Sequence, residues 1–149
     1  MTTTTHKRSI HVDAPAETVF EHVKDPRHFH EAFASMSPQD PPRITDISMT
    51  PEGVGSTYEW TSHLWSLLYI GGTMTRKEYV PNERIVDHSS TGVDWTFTVR
   101  PDQAGTRLSL ACDVSSKVPL ADKIIDAVSW NGDRDLDAIL ASLKEAIET

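Results

Sequence analysis

The chain has 149 residues, 38% of them apolar and 24% charged, a composition typical of one globular domain with its own core. Fourteen basic and 22 acidic side chains give a net charge of −8, which disfavours nucleic acid as a partner. A single cysteine excludes a disulfide framework, and without a signal-peptide core or a membrane-spanning apolar run we expect a cytoplasmic protein with no transmembrane segment.

The first quarter of the chain predicts a strand followed by two short helices. Residues 1–6 are expected to form a flexible tail before a strand over Lys7–Asp13. Proline at a first helical position predicts a helix over Pro15–Val23, and an aspartate that can cap a helix predicts a second one over Pro26–Phe33. Three prolines within Ser37–Pro42 indicate an extended loop.

Six more strands are predicted in the middle of the chain, where alternating side chains are separated by proline- and glycine-containing turns. Their predicted ranges are Ile44–Met49, Ser56–Trp65, Tyr69–Val80, Arg84–Ser90, Asp94–Arg100 and Thr106–Ser115. Connections this short require antiparallel neighbours.

The last thirty residues predict one long amphipathic helix over Pro119–Glu148, because their apolar residues recur at helical spacing. Asn131 and Gly132 interrupt that pattern, so we predict a kink near Gly132. A thin meander closed by one helix buries its sheet by curving beneath that helix, and such a sheet tends to leave a hollow.

The order of these elements resembles the helix-grip fold of the START-like (SRPBCC) superfamily of polyketide cyclase/dehydrase-like, lipid-transfer and pollen-allergen-like proteins. Five segments carry the resemblance in the family's order, namely Ile10–Phe20, Gly53–Thr57, Tyr79–Ile85, Gly105–Leu108 and Leu136–Glu148. One departure is Phe33, where relatives usually have a tryptophan. The resemblance implies an α+β fold in a single domain spanning 1–149, with a curved seven-stranded antiparallel sheet, two short helices after strand 1 and a C-terminal helix over a cavity.

Strand parity and the resemblance together predict which side chains line that cavity. Apolar sets on the third, sixth and seventh strands are expected to face the helix, with the short helices closing one end. The predicted ligand-binding residues are Phe29, Phe33, Tyr58, Trp60, Met74, Arg76, Trp95, Phe97, Leu110, Ile124 and Val128.

The fourth and fifth strands together have no apolar face, so whichever of their two faces turns inward brings ionisable groups with it. The resemblance favours the face of Arg76, a position where relatives usually have a valine. A buried guanidinium needs a partner, and we expect Arg76 to pair with Glu78 or Asp87. The pair is either a ligand anchor for a carboxylate, phenolate or enolate, or an ordinary ion pair at the open end of the sheet.

No catalytic motif of known spacing is present, and the histidine and cysteine spacing predicts neither a metal site nor a cofactor. Three functions stay open. The first is binding of a hydrophobic small molecule, such as a polyketide, a lipid or an isoprenoid. The second is an aromatase/cyclase-type enzyme using the same cavity, with Arg76, Tyr58 and Asp87 as its catalytic candidates. The third is a protein-interaction module of the chaperone-activator type, whose surface would be the apolar hairpin tip Leu64–Ile70. The sequence also leaves a homodimer open.

Overall fold

One antiparallel sheet of seven strands dominates the computed structural model, which describes residues 3–34, 42–65, 68–115 and 132–149. The strands are β1 (Thr3–Val12), β2 (Arg43–Ser48), β3 (Thr57–Trp65), β4 (Leu68–Val80), β5 (Arg84–Ser89), β6 (Val93–Asp102) and β7 (Gly105–Ser115). The helices of the described part are α1 (Ala16–Val23), α2 (Pro26–Ala34) and α3 (Gly132–Glu148). None of them is long and apolar enough to cross a membrane.

The strands follow the order β1-β7-β6-β5-β4-β3-β2, so each strand from β2 to β7 pairs with its neighbour in the chain. Among the described strands, β1 alone pairs with a strand distant in the chain, β7. This arrangement confirms the predicted α+β helix-grip fold, with a curved antiparallel sheet, two short helices after the first strand and a C-terminal helix.

The predicted flexible tail over residues 1–6 is wrong for Thr3–His6, which extend β1 and pair with Ser115–Cys112 of β7. Three of these four residues are threonines, and β-branched side chains suit a strand. The long partner strand β7 supplies backbone hydrogen-bonding groups along this whole stretch.

The core lies where the three helices pack on the concave face of the sheet. On α1 the apolar side is Val19, Phe20 and Val23, and each of these is almost fully buried. On α3 the spacing of Leu136, Ile139, Leu140 and Leu143 places four fully buried side chains against the same core. Residues 116–131, which include most of the predicted kink, lie outside the described residues.

Two hydrogen bonds join the end of α3 to the end of the first strand, and a third links their two side chains within the helix. The ammonium of Lys144 donates to the carbonyl oxygen of His11 (2.9 Å) and also to the carboxylate of Glu148 (2.5 Å). That carboxylate accepts a bond from the backbone N–H of Asp13 at 2.7 Å. We call these four residues the C-terminal latch.

Candidate functional site

A row of three side chains crosses the concave face on β4, β5 and β6. Arg76 lies directly opposite Asp87, and Asp87 lies directly opposite Trp95. Because directly opposed residues project from the same side of a sheet, about 5 Å apart at Cβ, the guanidinium, the carboxylate and the indole are near neighbours.

Arg76 and Asp87 form a buried ion pair with two contacts. The Arg76 Nε donates to Oδ1 of Asp87 at 2.8 Å, and Nη2 donates to Oδ2 at 3.2 Å. The hydroxyl of Tyr58 donates to the same Oδ2 at 3.3 Å. We call these three residues the polar triad. Their contacts confirm Asp87, of the two predicted carboxylates, as the partner of Arg76.

The triad holds Tyr58 in its neutral form. Burial raises the pKa of the Tyr58 phenol well above its ordinary value, and the negative charge of Asp87 raises it further. Tyr58 is therefore a hydrogen-bond donor at neutral pH. A guanidinium carries five N–H groups, and two of those on Arg76 bind Asp87, so the remaining three are available to a further acceptor in the described part of the structure.

A register shift in β4 decides which side chains join Arg76. Arg76 pairs with Asp87 but Glu78 pairs with Val86, so β4 contains one extra residue between them. Glu78 consequently turns outward and forms an ion pair with Arg84 at 3.0 Å, which makes the predicted alternative pairing of Arg76 with Glu78 wrong. Tyr79 instead turns inward, where its ring meets that of Phe20 with centroids 5.5 Å apart.

Aromatic side chains from α2 and β6 form a cluster beside the triad. The ring of Phe29 makes edge-to-face contacts with those of Trp95 and Phe97, both at 5.3 Å between centroids. Phe33 contacts Trp95 in the same way at 6.0 Å. We call these four residues the aromatic cluster. Phe97 is buried, whereas Phe29, Phe33 and Trp95 are only partly buried.

The other predicted cavity residues differ in their surroundings. Met74 and Tyr58 are buried and lie opposite each other on β4 and β3. Trp60 is half-buried, and Gly72 on the facing strand leaves room for its indole nitrogen, which lies only 3.2 Å from where a Cβ would be. Leu110 is fully buried in the core opposite Phe97. Ile124 and Val128 lie outside the described residues, as do the side chains of the Leu64–Ile70 hairpin tip.

The remaining chemically reactive side chains stand apart from this site. Cys112 is fully buried, and burial raises the pKa of its thiol to about 12, so it is a poor nucleophile. His88 lies on the outer face, where it contacts Asp94 at 2.6 Å. His22 and His28 stack with ring centroids 3.9 Å apart at the junction of α1 and α2. Within the described ranges, no three histidine, cysteine or acidic side chains are grouped closely enough to hold a metal ion.

Sequence comparison identifies one family whose model covers nearly the whole chain. The family described as polyketide cyclase/dehydrase and lipid transport matches residues 3–148. A comparison of the chain with curated proteins found no match.

Solved structures of the same architecture include three that match almost end to end. The Zhui aromatase/cyclase from Streptomyces sp. R1128 has a TM-score of 0.68 at 17% identity, over 99% of this chain and 94% of that one. Protein CV1439 from Chromobacterium violaceum has a TM-score of 0.67 at 18% identity, over 98% and 99%. Ara h 8.0201 has a TM-score of 0.64 at 12% identity, over 98% of both chains. Identities this low establish a common fold and leave the ligand of this chain to be argued from its own residues.

Proposed function

The chain belongs to the polyketide cyclase/dehydrase and lipid transport family, and we propose that it binds a hydrophobic small molecule in a cavity between the concave face and the C-terminal helix. Polyketides and lipids are both largely apolar molecules that carry oxygen functions. The ligand we propose is of that class, which includes isoprenoid-like molecules.

The observation that carries this proposal is the position of the aromatic cluster beside the polar triad. Trp95 and Asp87 are opposite each other on β6 and β5, so an apolar surface and a hydrogen-bonding group are adjacent on one face. Phe29, Phe33 and Trp95 keep part of their surface uncovered although they contact one another. Ligand sites combine these two features, a mainly apolar wall and a few fixed polar groups.

In this proposal the two parts of the site have different tasks. The aromatic cluster would cover the apolar body of the ligand, because rings fixed in edge-to-face contact lose little conformational entropy on binding. Arg76 would donate to an oxygen of the ligand with N–H groups that Asp87 does not use. Asp87 would hold the guanidinium in one orientation through its two contacts.

A direct test is titration with the fluorescent probe 8-anilinonaphthalene-1-sulfonate, with native mass spectrometry of the purified protein for a retained organic ligand. We expect saturable binding of the probe that Phe29→Leu weakens by about two- to tenfold, since loss of one aromatic contact costs about 0.5–1.5 kcal/mol. Phe20→Leu is the matched control. Phe20 is a residue of α1 that packs in the core, so its substitution should lower stability without altering affinity for the probe. Equal affinity of all three proteins would contradict the proposal.

The polar triad favours a second candidate, an aromatase/cyclase-type reaction in the same cavity. Closure of a poly-β-ketone passes through an enolate, and the spare guanidinium donors of Arg76 would stabilise its oxygen. Tyr58, held neutral, is the other donor of the triad. Turnover of a poly-β-ketone analogue by the wild type, lost in Arg76→Ala with folding retained by circular dichroism, would establish the enzyme. Binding of the analogue without turnover would contradict the enzyme and support the first candidate, a binding protein.

A further inference from the structure

A second concavity, a half-open cleft of about 300 Å³, lies at the junction of α1 and α2. One side is the turn between the two helices, with Lys24 and Arg27, and the other is the segment that joins β2 to β3, with Ile47 and Met49. Arg76 and Tyr79 of β4 also line it. Of the described residues that the sequence predicts for the internal cavity, Arg76 alone borders this cleft.

Three cationic side chains contribute hydrogen-bond donors to the cleft. Lys24, Arg27 and Arg76 line it, whereas Asp25 is the only acidic residue among its lining residues in the described structure. Each cation has a carboxylate partner, since Lys24 contacts Glu21 at 2.7 Å, Arg27 contacts Asp25 at 2.9 Å and Arg76 contacts Asp87 at 2.8 Å. Their local sum is therefore close to neutral in a chain whose net charge is −8.

Arg76 adds a buried donor to the cleft. Its side chain is only 2% exposed, and the N–H groups left over from its pairing with Asp87 are costly to bury without an acceptor. An anionic oxygen in the cleft would supply that acceptor, and the lysine and arginine on the rim would add charge-assisted bonds.

The other walls of the cleft are largely apolar. Ile47 and Met49 are 38% and 46% exposed, so both leave apolar surface open to a ligand. The ring of Tyr79 packs against that of Phe20. The guanidinium carbon of Arg76 lies over the Tyr79 ring, 5.9 Å from the centroid of that ring. Gly53, with φ of +85°, lets the β2–β3 segment lie directly on the Tyr79 ring.

We propose that this cleft is a separate binding site for a small amphipathic carboxylate, with the anion on Arg76, Lys24 and Arg27 and the apolar part on Ile47 and Met49. A volume of about 300 Å³ equals about ten water molecules, which limits the ligand to roughly the size of an aryl acetate or a short-chain fatty acid. Arg76 is the one described residue that this site shares with the proposed internal cavity.

The test uses phenylacetate as the probe and its neutral isostere phenylacetamide as the control ligand, with the full-length ¹⁵N-labelled protein in NMR titrations. We expect saturable shifts for the amides of Lys24, Arg27, Thr50 and Gly53, and none for α3. Lys24→Gln and Arg27→Gln should each weaken binding at least about threefold, as loss of a bond to a charged group costs about 1.5–3 kcal/mol when buried and less at the surface. Lys7→Gln, on β1 at the far edge of the sheet, is the control that should bind normally.

Three outcomes would overturn the inference. Absence of saturable shifts at the cleft up to about 10 mM would mean that no site of useful affinity exists there. Binding of phenylacetamide with the same affinity as phenylacetate would show that the negative charge of the ligand does not contribute to binding. Shifts confined to the indole N–H of Trp95 would place the probe in the internal cavity, which would support the proposed function and contradict the separate site.

Discussion

Trp95 and Asp87 are opposite each other on neighbouring strands, so the largest aromatic ring of the aromatic cluster stands beside the carboxylate that holds both Arg76 and Tyr58. An apolar surface and a fixed set of hydrogen-bond donors thereby meet on one face of the sheet. The stability of this polar centre can be measured separately from any ligand.

The ion pair between Arg76 and Asp87 should show strong energetic coupling. Arg76→Met or Asp87→Leu alone leaves the other charge buried without a partner, so each should lower the free energy of unfolding by about 3–5 kcal/mol. The double variant Arg76→Met/Asp87→Leu should cost much less than the sum of the two. Urea denaturation of the four proteins measures the coupling, and additive losses would show that the two charges do not stabilise each other.

Gly53 and Gly55 offer a matched pair of substitutions in the segment between β2 and β3. Both have positive φ angles, +85° and +89°, so alanine is strained at either position by about 1 kcal/mol or more. A Cβ at Gly53 would also lie 2.4 Å from the Tyr79 ring, whereas at Gly55 the nearest atom is 3.7 Å away. Gly53→Ala should therefore have the lower melting temperature. Equal melting temperatures would mean that Tyr79 does not pack on this segment.

Mild acid should weaken the junction of α1 and α2. Burial, and then the charge of His28, lower the pKa of His22 below its ordinary 6.5, and burial lowers that of His30. Glu31 opposes both shifts, and Asp25 opposes that of His22. The unfolded chain then binds more protons than the folded one, so stability falls as the pH drops below about 6.5.

His22→Gln tests this dependence, because glutamine cannot take up the proton. Denaturation midpoints measured between about pH 7 and pH 5 should fall less steeply in the variant than in the wild type. Below about pH 4.5 both proteins should lose further stability, since the lowered pKa values of Asp25, Asp94 and Asp102 add their own contributions there. Identical slopes in the upper range would exclude His22 as the source.

Glu148 should protect the first residue after β1. Its carboxylate accepts the Asp13 N–H, and that bond, followed by the one from Lys144, lowers the pKa of Glu148. The contribution is present above the ordinary glutamate pKa of 4.5 and is lost as the pH falls through the lowered value. Glu148→Ala should speed hydrogen exchange at the Asp13 amide while β7 stays protected. Unchanged exchange at Asp13 would show that the C-terminal latch does not form in solution.

Most of the fold could be predicted from the sequence because its signals are local. Alternation, proline and glycine turns and the helical spacing of α3 each depend on residues close together in the chain. The extension of β1 to Thr3 could not be predicted from local patterns. A run of polar threonines has no alternation of its own, and here it forms a strand by pairing with β7. Pairing between distant segments is invisible to a local pattern.

The candidate site was predicted in part for a related reason. The resemblance favoured the face that carries Arg76, and Asp87 lies opposite Arg76 on that face because alternation is regular up to that residue of β4. Strict alternation would place Tyr79 on the opposite face from Arg76, because three positions separate the two residues. Neither Lys77 nor Glu78 is a glycine or proline that would indicate an extra residue in the strand. The inward position of Tyr79, and with it the cleft that Tyr79 lines, was therefore not predicted.

That extra residue in β4 divides the strand into two phases of alternation. Residues before it present even-numbered side chains to the interior, as Met74 and Arg76 do, and residues after it present odd-numbered ones, as Tyr79 does. Arg76, which precedes the extra residue, and Tyr79, which follows it, both line the cleft, so the two phases meet there. A substitution at Arg76 therefore changes the polar triad and the cleft together, whereas a substitution at Tyr79 changes the cleft and leaves the contacts between Arg76, Asp87 and Tyr58 in place.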